Sequence, residues 1–236
     1  MSYITQPSRI DGFGAQYQTL VNTILYCKKH KKTFIYTPIK KMEHNYDNDP
    51  EFLKKIEELM NITTYKSIND IKCHIIKANA RSIIKFFDSN INNLTTELSE
   101  VKADFWRNKE RDCFKNGMYN IAIHVRRPNQ NDNRIDGTNT PDEFYLTKIQ
   151  NIRDTNKNKR LCFHIYSQGD ISNFHKYCAD DTILKINMNL FDTFKEMVGA
   201  DALIMSRSSF SYIAGMLSDG DIYYQKFWHP PMKHWH

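Results

Sequence analysis

Two short polar stretches carry the residue types best suited to holding an anion. They are His124-Val-Arg-Arg127 and Ser206-Arg-Ser-Ser-Phe-Ser211. An arginine offers a rigid fork of donors and a permanent charge, so Arg126 and Arg127 together suit a phosphate or pyrophosphate. Small hydroxyl residues ahead of an apolar helical run cap its first turn and leave backbone N–H groups facing outward, a role open to Ser208 or Ser209. A third stretch, Ser167-Gln-Gly-Asp170, is polar and turn-like. Each has a purely structural explanation: the arginines as solvated loop charges, the serines as caps, and Ser167 to Asp170 as a turn.

The elements around these stretches favour a shared role. Ile121, Ile123 and Val125 alternate with Ala122, His124 and Arg126 between Asn116-Gly117 and Pro128. That period predicts a buried strand over 119–125, ended by a proline that cannot continue the ladder. Further strands are predicted at 161–166, 182–186, 202–205 and 222–224. Helices at 141–154, 171–178, 192–199 and 209–217 separate them, with a polar loop over 128–140. Strands alternating with helices through short connections predict an α/β fold with a parallel sheet covered on both faces. Ligands in such sheets bind beyond the carboxyl ends of strands. All three polar stretches fall there, which makes a nucleotide-diphosphate site a better explanation than three coincidences.

The first forty residues read as strand 2–5, a loop containing Gly12 and Gly14, a helix on Tyr17, Leu20, Val21, Ile24 and Leu25, and strand 33–36. This is a βαβ unit with its glycine loop at a helix N-terminus. The loop lacks the third glycine of the dinucleotide fingerprint and is not a GxxxxGK[ST] phosphate loop. A helix is expected over 50–60, with Asp49 as N-cap and Pro50 in the first position. Another is expected over 92–108, where Leu94, Leu98, Val101 and Phe105 share a face. The region 68–115 otherwise reads as the linker-like end of an N-terminal half. The expected division is 1–115 and 116–236.

The 236 residues, 40% hydrophobic and 25% charged, have globular proportions. The net charge of +6 favours an anionic partner of unspecified kind. Basic residues are scattered rather than gathered in a stripe, which argues against nucleic-acid binding. The five cysteines form no CxxC pair, which argues against a disulfide framework and a thiolate zinc site. No apolar run has the length of a signal-peptide core or approaches the ~18 residues of a membrane span. A cytoplasmic protein is expected. Composition says nothing of oligomeric state.

Four carboxylates follow the arginines closely enough to serve as a proton acceptor: Asp132, Asp136, Asp142 and Glu143. Asp136-Gly137 is also a turn signal, while Asp142 and Glu143 also suit a first helical turn after Pro141. Asp47-Asn-Asp49 and Asp219-Gly-Asp221 match a short metal-binding pattern, but read better as a helix start and a turn. His229, His234 and His236 show no ordered ligand spacing.

Gly12-Phe-Gly-Ala-Gln16, His124-Val-Arg-Arg127 and Ser206-Arg-Ser-Ser-Phe-Ser211, in this order, resemble the α-1,2/α-1,6- and O-fucosyltransferase superfamily. Its usual forms are a GxGNQ-type loop, an HxRR motif and an SxSSFS segment. The likeness leaves about 40–115 unmatched. It implies a GT-B-like fold of two Rossmann-like halves, the C-terminal half binding the nucleotide sugar and the N-terminal half facing the acceptor. It also implies GDP-fucose as donor, a carbohydrate acceptor, inversion at the anomeric centre, and no metal or other cofactor. Carried over by position, Arg126 holds the β-phosphate, assisted by Arg127. His124 and Asp192 line the guanosine region. Ser208, Ser209 and Phe210 contact the diphosphate or ribose; Ser206 and Ser167, on the loops at the carboxyl ends of their strands, complete the expected nucleotide-binding set. Gly12, Gly14 and Gln16 close over the sugar-phosphate. Asp136 leads the base candidates. Two departures stand out: Pro128-Asn129 replaces the family's Gly-Asp after the arginines, and Ala15 stands where Asn is usual. The alternative function is a non-catalytic GDP-sugar or glycan-binding module of the same fold.

Overall fold

The computed structural model describes residues 2–45, 48–72, 74–127, 140–226 and 228–236. The chain forms two compact units, Met1–Lys109 and Glu110–His236. Asp132, Asp136 and Asp47 lie outside the described residues.

In the first unit, β1 (Tyr3–Thr5), β2 (Thr33–Phe34) and β3 (Ile75–Lys77) form a parallel sheet in the order β2-β1-β3. Helix α1 (Phe13–Lys29) joins the first two strands, giving the expected βαβ unit. Apolar residues recur on several sides of α1, and nearly the whole helix is buried. Its buried threonines are satisfied locally: Thr19 Oγ1 donates to Ala15 O at 2.8 Å, and Thr23 Oγ1 donates to Thr19 O at 2.8 Å. Helices α2 (Phe52–Met60), α3 (Ala80–Asn90) and α4 (Thr95–Trp106) complete the unit.

Two expectations need correction here. The stretch after residue 68 is not linker-like. It contributes β3, which pairs with β1, and α3, which buries Ile83 and Phe87. A three-residue edge strand with Ile76 exposed leaves little periodic signal. Helix α2 starts later than expected. Phe52 N donates to Asp49 O and Glu51 N donates to Asp49 Oδ1, so Asp49 and Pro50 form a turn ahead of the helix.

The second unit holds five parallel strands: β4 (Tyr119–His124), β5 (Leu161–Ser167), β6 (Thr182–Ile186), β7 (Ala202–Ile204) and β8 (Asp221–Tyr223). Their spatial order is β6-β5-β4-β7-β8. The chain therefore starts in the middle, winds outward to one edge, crosses back over β4 and winds to the other edge. This is the doubly wound order, and its crossover leaves a crevice between the carboxyl ends of β4 and β7. β4 is buried on both faces from Asn120 to Ile123, as a central strand must be.

Helix α5 (Asp142–Thr155) links β4 to β5. A 3-10 segment, Ile171–Tyr177, links β5 to β6 in place of the expected α-helix; Asp170 caps it by accepting from Ser172 N at 2.9 Å. Tyr145, Ile149 and Ile152 of α5, with Phe174 and Tyr177, pack on Ile121, Ile123, Val125, Phe163 and Ile165. Helices α6 (Leu190–Gly199) and α7 (Ser209–Leu217) pack together and complete the crossings to β7 and β8. The C-terminal residues return to β8: His236 N donates to Ile222 O and Tyr224 N donates to His236 O, both at 2.8 Å. This covers part of an edge that would otherwise present unpaired backbone groups.

Candidate functional site

Side-chain parity at the end of β4 decides where each polar residue goes. Successive side chains leave a strand on opposite faces, so His124 and Arg126 share a side and Arg127 takes the other. The neighbouring β7 is followed at once by Ser206 and the start of α7. Ser208 is the N-cap: its backbone is extended and its Oγ accepts from Phe210 N at 3.2 Å. Arg126 Nη1 donates to the same oxygen at 3.2 Å. The guanidinium is thus held beside the first turn of α7, where uncapped amides and the positive end of the helix dipole lie. A fixed cation next to a helix N-terminus, at a sheet's switch point, is chemically an anion cradle.

His124 forms the inner wall. Its Nδ1 lies 2.8 Å from Ser206 Oγ, and its ring meets Phe210 edge-on at 5.4 Å. Phe210 in turn packs on Phe194 of α6 at 5.4 Å. Burial, helped by the charge of Arg126, pushes the imidazole pKa down to about 3, so the ring is neutral near pH 7. Ser206 Oγ is also 3.3 Å from Ser211 Oγ, which is fully buried. Ser209 is the first residue of α7 and is partly exposed beside this cradle.

Arg127 is committed elsewhere. Its Nη2 donates to Asp142 Oδ1, which also accepts from Tyr177 Oη. Lys176 Nζ donates to Asp142 Oδ2 at 2.6 Å, and the Arg127 guanidinium lies 5.5 Å above the Phe174 ring. Burial works to raise the Asp142 pKa, but the hydrogen bonds from Lys176, Tyr177 and Arg127 outweigh it and take the carboxylate down to about 2. An acid held so firmly ionised is a poor proton acceptor in catalysis. Asp142 is therefore a clamp for Arg127 rather than a base. Thr140, two residues earlier, accepts from Arg207 N at 3.2 Å and so joins the start of α5 to the loop before α7. The acidic first turn of α5 was visible in the sequence; its use by Arg127, Lys176 and Tyr177 was not.

The remaining sequence-selected residues fall in three places. Ser167 ends β5, and its Oγ donates to Val125 O at 2.6 Å, joining the ends of two strands. Asp192 lies in the first turn of α6, beyond the edge strand β6 and two strands from β4. It is exposed, and its carboxylate accepts from Asn189 Nδ2 at 2.6 Å. Gly12, Gly14 and Gln16 belong to the first unit. Gln16 Nε2 donates to Asp11 O at 2.6 Å and Lys41 O at 3.0 Å, fixing the loop ahead of α1. Gly12 is the N-cap of α1, and a Cβ there would lie 2.7 Å from the His44 ring. Its lack of a side chain thus serves packing against His44.

The short acidic pattern Asp219-Gly-Asp221 lies at the amino end of the edge strand β8, whereas Arg126 lies beyond the carboxyl end of the central strand β4. Asp219 pairs with Arg111 at 3.1 Å, and Asp221 accepts from Tyr119 Oη at 2.9 Å. Among the described residues, no group of three or more His, Cys, Asp and Glu is placed to hold a metal ion. No helix among them is long and apolar enough to cross a membrane.

No family model and no curated protein matches the chain. Among solved structures, it is similar to the α-1,6-fucosyltransferase NodZ soaked with GDP-fucose, at 10% identity over 92% of each chain with a TM-score of 0.46. A NodZ fucosyltransferase from Bradyrhizobium gives 10% identity over 92% and 93% of the two chains and a TM-score of 0.44. The E. coli heptosyltransferase WaaC with ADP-2-deoxy-2-fluoro heptose gives 12% identity over 99% of this chain and 91% of that one, with a TM-score of 0.45.

Proposed function

We propose that the protein is a glycosyltransferase that moves fucose from GDP-fucose to a glycan hydroxyl, on a GT-B-like fold, with inversion and without a metal. The observation that carries this reading is the placement of Arg126. Its guanidinium is tied to the N-cap of α7 at the β4/β7 switch point, where a nucleotide diphosphate would sit. Departure of GDP leaves new negative charge on the β-phosphate. A preset cation and helix N-terminus stabilise that charge more in the transition state than in the ground state. The donor sugar follows from the HxRR and SxSSFS resemblance, and the inverting, metal-independent course comes with it. The first unit would then meet the acceptor.

The expected test result is a rise in melting temperature with GDP in the presence of EDTA. Arg126→Ala should remove that rise and lower turnover on GDP-fucose about 10²–10³-fold, the usual effect of deleting one charge-stabilising donor. Its circular dichroism should be unchanged. No GDP shift in the native protein would end the nucleotide reading, and a shift by GDP that persists in Arg126→Ala would remove Arg126 from it.

A second reading is a GDP-sugar or glycan-binding module without transfer. It is favoured by one observation: Asp142, a carboxylate close to the arginines in sequence, is locked by Arg127, Lys176 and Tyr177. Mass spectrometry of GDP-fucose incubated with the protein separates the two. Neither donor hydrolysis nor transfer, together with GDP binding, would select the binding module.

A further inference from the structure

The turn before β5 carries three cations in four residues, Lys157, Lys159 and Arg160, all exposed. The last two line a hollow of about 350 Å³, whose other walls are Gly117, Met118, Tyr119 and Asp201. That volume is at the lower end of small-molecule pockets, about 300–1,000 Å³. The hollow sits at the amino end of β4. Arg126 lies seven residues further on, about 23 Å along an extended chain, so this is not the anion cradle. Backbone bonds fix the walls. Tyr119 N donates to Arg160 O at 2.8 Å and Lys159 N donates to Asn156 O at 2.9 Å, which sets the basic turn against the strand. Asn120 N donates to Asp201 Oδ2 at 2.7 Å and orients the carboxylate. Lys159 Nζ lies 3.8 Å from the centroid of the Tyr119 ring, whose hydroxyl is held by Asp221. Gly117 has a left-handed φ of +64°, and a Cβ there would meet nothing within 4 Å, so that rim is open.

The charges around this hollow are unmet. Elsewhere in the unit Arg111, Lys115 and Arg153 pair with Asp219, Glu110 and Asp181. Lys159 and Arg160 form no ion pair among the described residues, and Asp201 Oδ1 accepts from no donor among them. Two cations and a carboxylate thus face one hollow without neutralising each other. A ligand that satisfies both carries an anion at one end and hydroxyl donors at the other. We propose that the hollow binds a saccharide unit bearing an anionic group, as a site separate from the Arg126 cradle. The anion meets Lys159 and Arg160 in charge-assisted hydrogen bonds, and ring hydroxyls donate to Asp201. A neutral sugar leaves the cations without a counter-charge. A phosphodiester chain repeats its charge along its length, and Asp201 would repel the next phosphate. The proposal does not rest on the nucleotide reading, since no residue is shared between the two sites.

The test is a titration of the whole ¹⁵N-labelled protein at low salt, followed by amide chemical shifts. D-glucuronate or D-glucose 6-phosphate should move the Gly117, Tyr119 and Arg160 amides along a saturating curve, and the tighter of the two identifies the anion. No saturable shift with either overturns the proposal. Methyl β-D-glucoside keeps the hydroxyls without the charge, and inorganic phosphate keeps the charge without the sugar. Each should bind at least about 10-fold more weakly, as for loss of one hydrogen bond to a charged group. Phosphate binding as tightly as the charged sugars leaves an adventitious ion only and overturns the saccharide assignment. Glucoside binding as tightly overturns the role of the cations. The double variant Lys159→Gln, Arg160→Gln, with unchanged circular dichroism, should weaken the charged sugar by about 10-fold or more. Native affinity in that variant overturns the proposal. Arg126→Ala should bind the charged sugar as the native protein does; a loss there would place binding in the cradle and overturn the separate site. GDP binding, or its failure, leaves all of these outcomes unchanged.

Discussion

Replacing Asp142 with Asn tests whether the end of β4 is held by charge. The substitution keeps the shape of the side chain and removes its charge. It leaves Arg127, Lys176 and Tyr177 converging on a neutral amide. The carboxylate is only 14% exposed, so water does little to replace the lost partner. Its pKa falls from 3.8 to about 2 in the folded protein. Through linkage that shift corresponds to roughly 2 kcal/mol of stability at pH 7. The sign follows from the depression. The contribution is complete above about pH 5, is roughly halved near pH 3, and is almost gone at pH 2. The assay is urea unfolding in a Trp106→Phe background, where Trp228 and Trp235 report on the second unit alone. Asp142→Asn should lower stability by roughly 2 kcal/mol at pH 7. The difference from native should shrink steadily as pH falls from 5 to 2. A difference below about 0.5 kcal/mol at pH 7, in the range of an exposed pair, would refute the clamp. So would a difference of equal size at pH 7 and pH 2.5.

Other expectations follow from the same geometry. A Cβ at Gly220 would lie 2.5 Å from the carbonyl oxygens of Ala200 and Asp201, whereas one at Gly12 would meet only the His44 ring, at 2.7 Å. Gly220→Ala should therefore cost at least about 3 kcal/mol or abolish soluble expression, and Gly12→Ala about 1 kcal/mol or less, by thermal and urea unfolding. A milder effect of Gly220→Ala than of Gly12→Ala would contradict the backbone contact. Burial, with Lys185, pushes the His164 pKa down to about 4, and His124 is likewise depressed to about 3. Both groups start from 6.5, so the unfolded chain takes up protons that the folded one refuses. Stability of the second unit is then complete above about pH 7 and falls by up to about 1.4 kcal/mol per pH unit for each histidine between pH 6.5 and 4. His164→Gln should flatten that slope by about half, and a native urea midpoint constant over the interval would refute both assignments.

The second unit was legible because its strands announce themselves. A central parallel strand is apolar on both faces, and in the sequence the breaker signals Asn116-Gly117 and Pro128 bracket β4. Helix α7 could be bounded at both ends because a serine cap precedes a continuous apolar run. In the first unit, β2 and β3 are two and three residues long, too short for a period to register against Ile75-Ile76 and the later apolar pairs. Their pairing with β1 depends on residues more than 25 positions away. The site residues show the same division. Arg126 and Ser208 were readable from type and position, since both end a strand and begin a helix. The roles of Asp142, Ser211 and Thr140 were not, because each depends on which partner the fold delivers to it.

The two adjacent arginines show how far a shared residue type can mislead. In sequence Arg126 and Arg127 read as one bidentate anion trap. On the strand end they leave by opposite faces. Arg126 goes to the α7 side, to a hydroxyl that is itself a helix cap. Arg127 goes to the α5 side, to a carboxylate that already accepts from Lys176 and Tyr177. A cation so paired has little left for a ligand, while its loss would leave Asp142 charged and largely buried with one donor fewer. Removing Arg127 should therefore act first on stability, and removing Arg126 first on ligand affinity. A chain that moved the pair by one position along the strand would exchange those roles. It would aim the clamped face at the crevice and turn the open face toward α5.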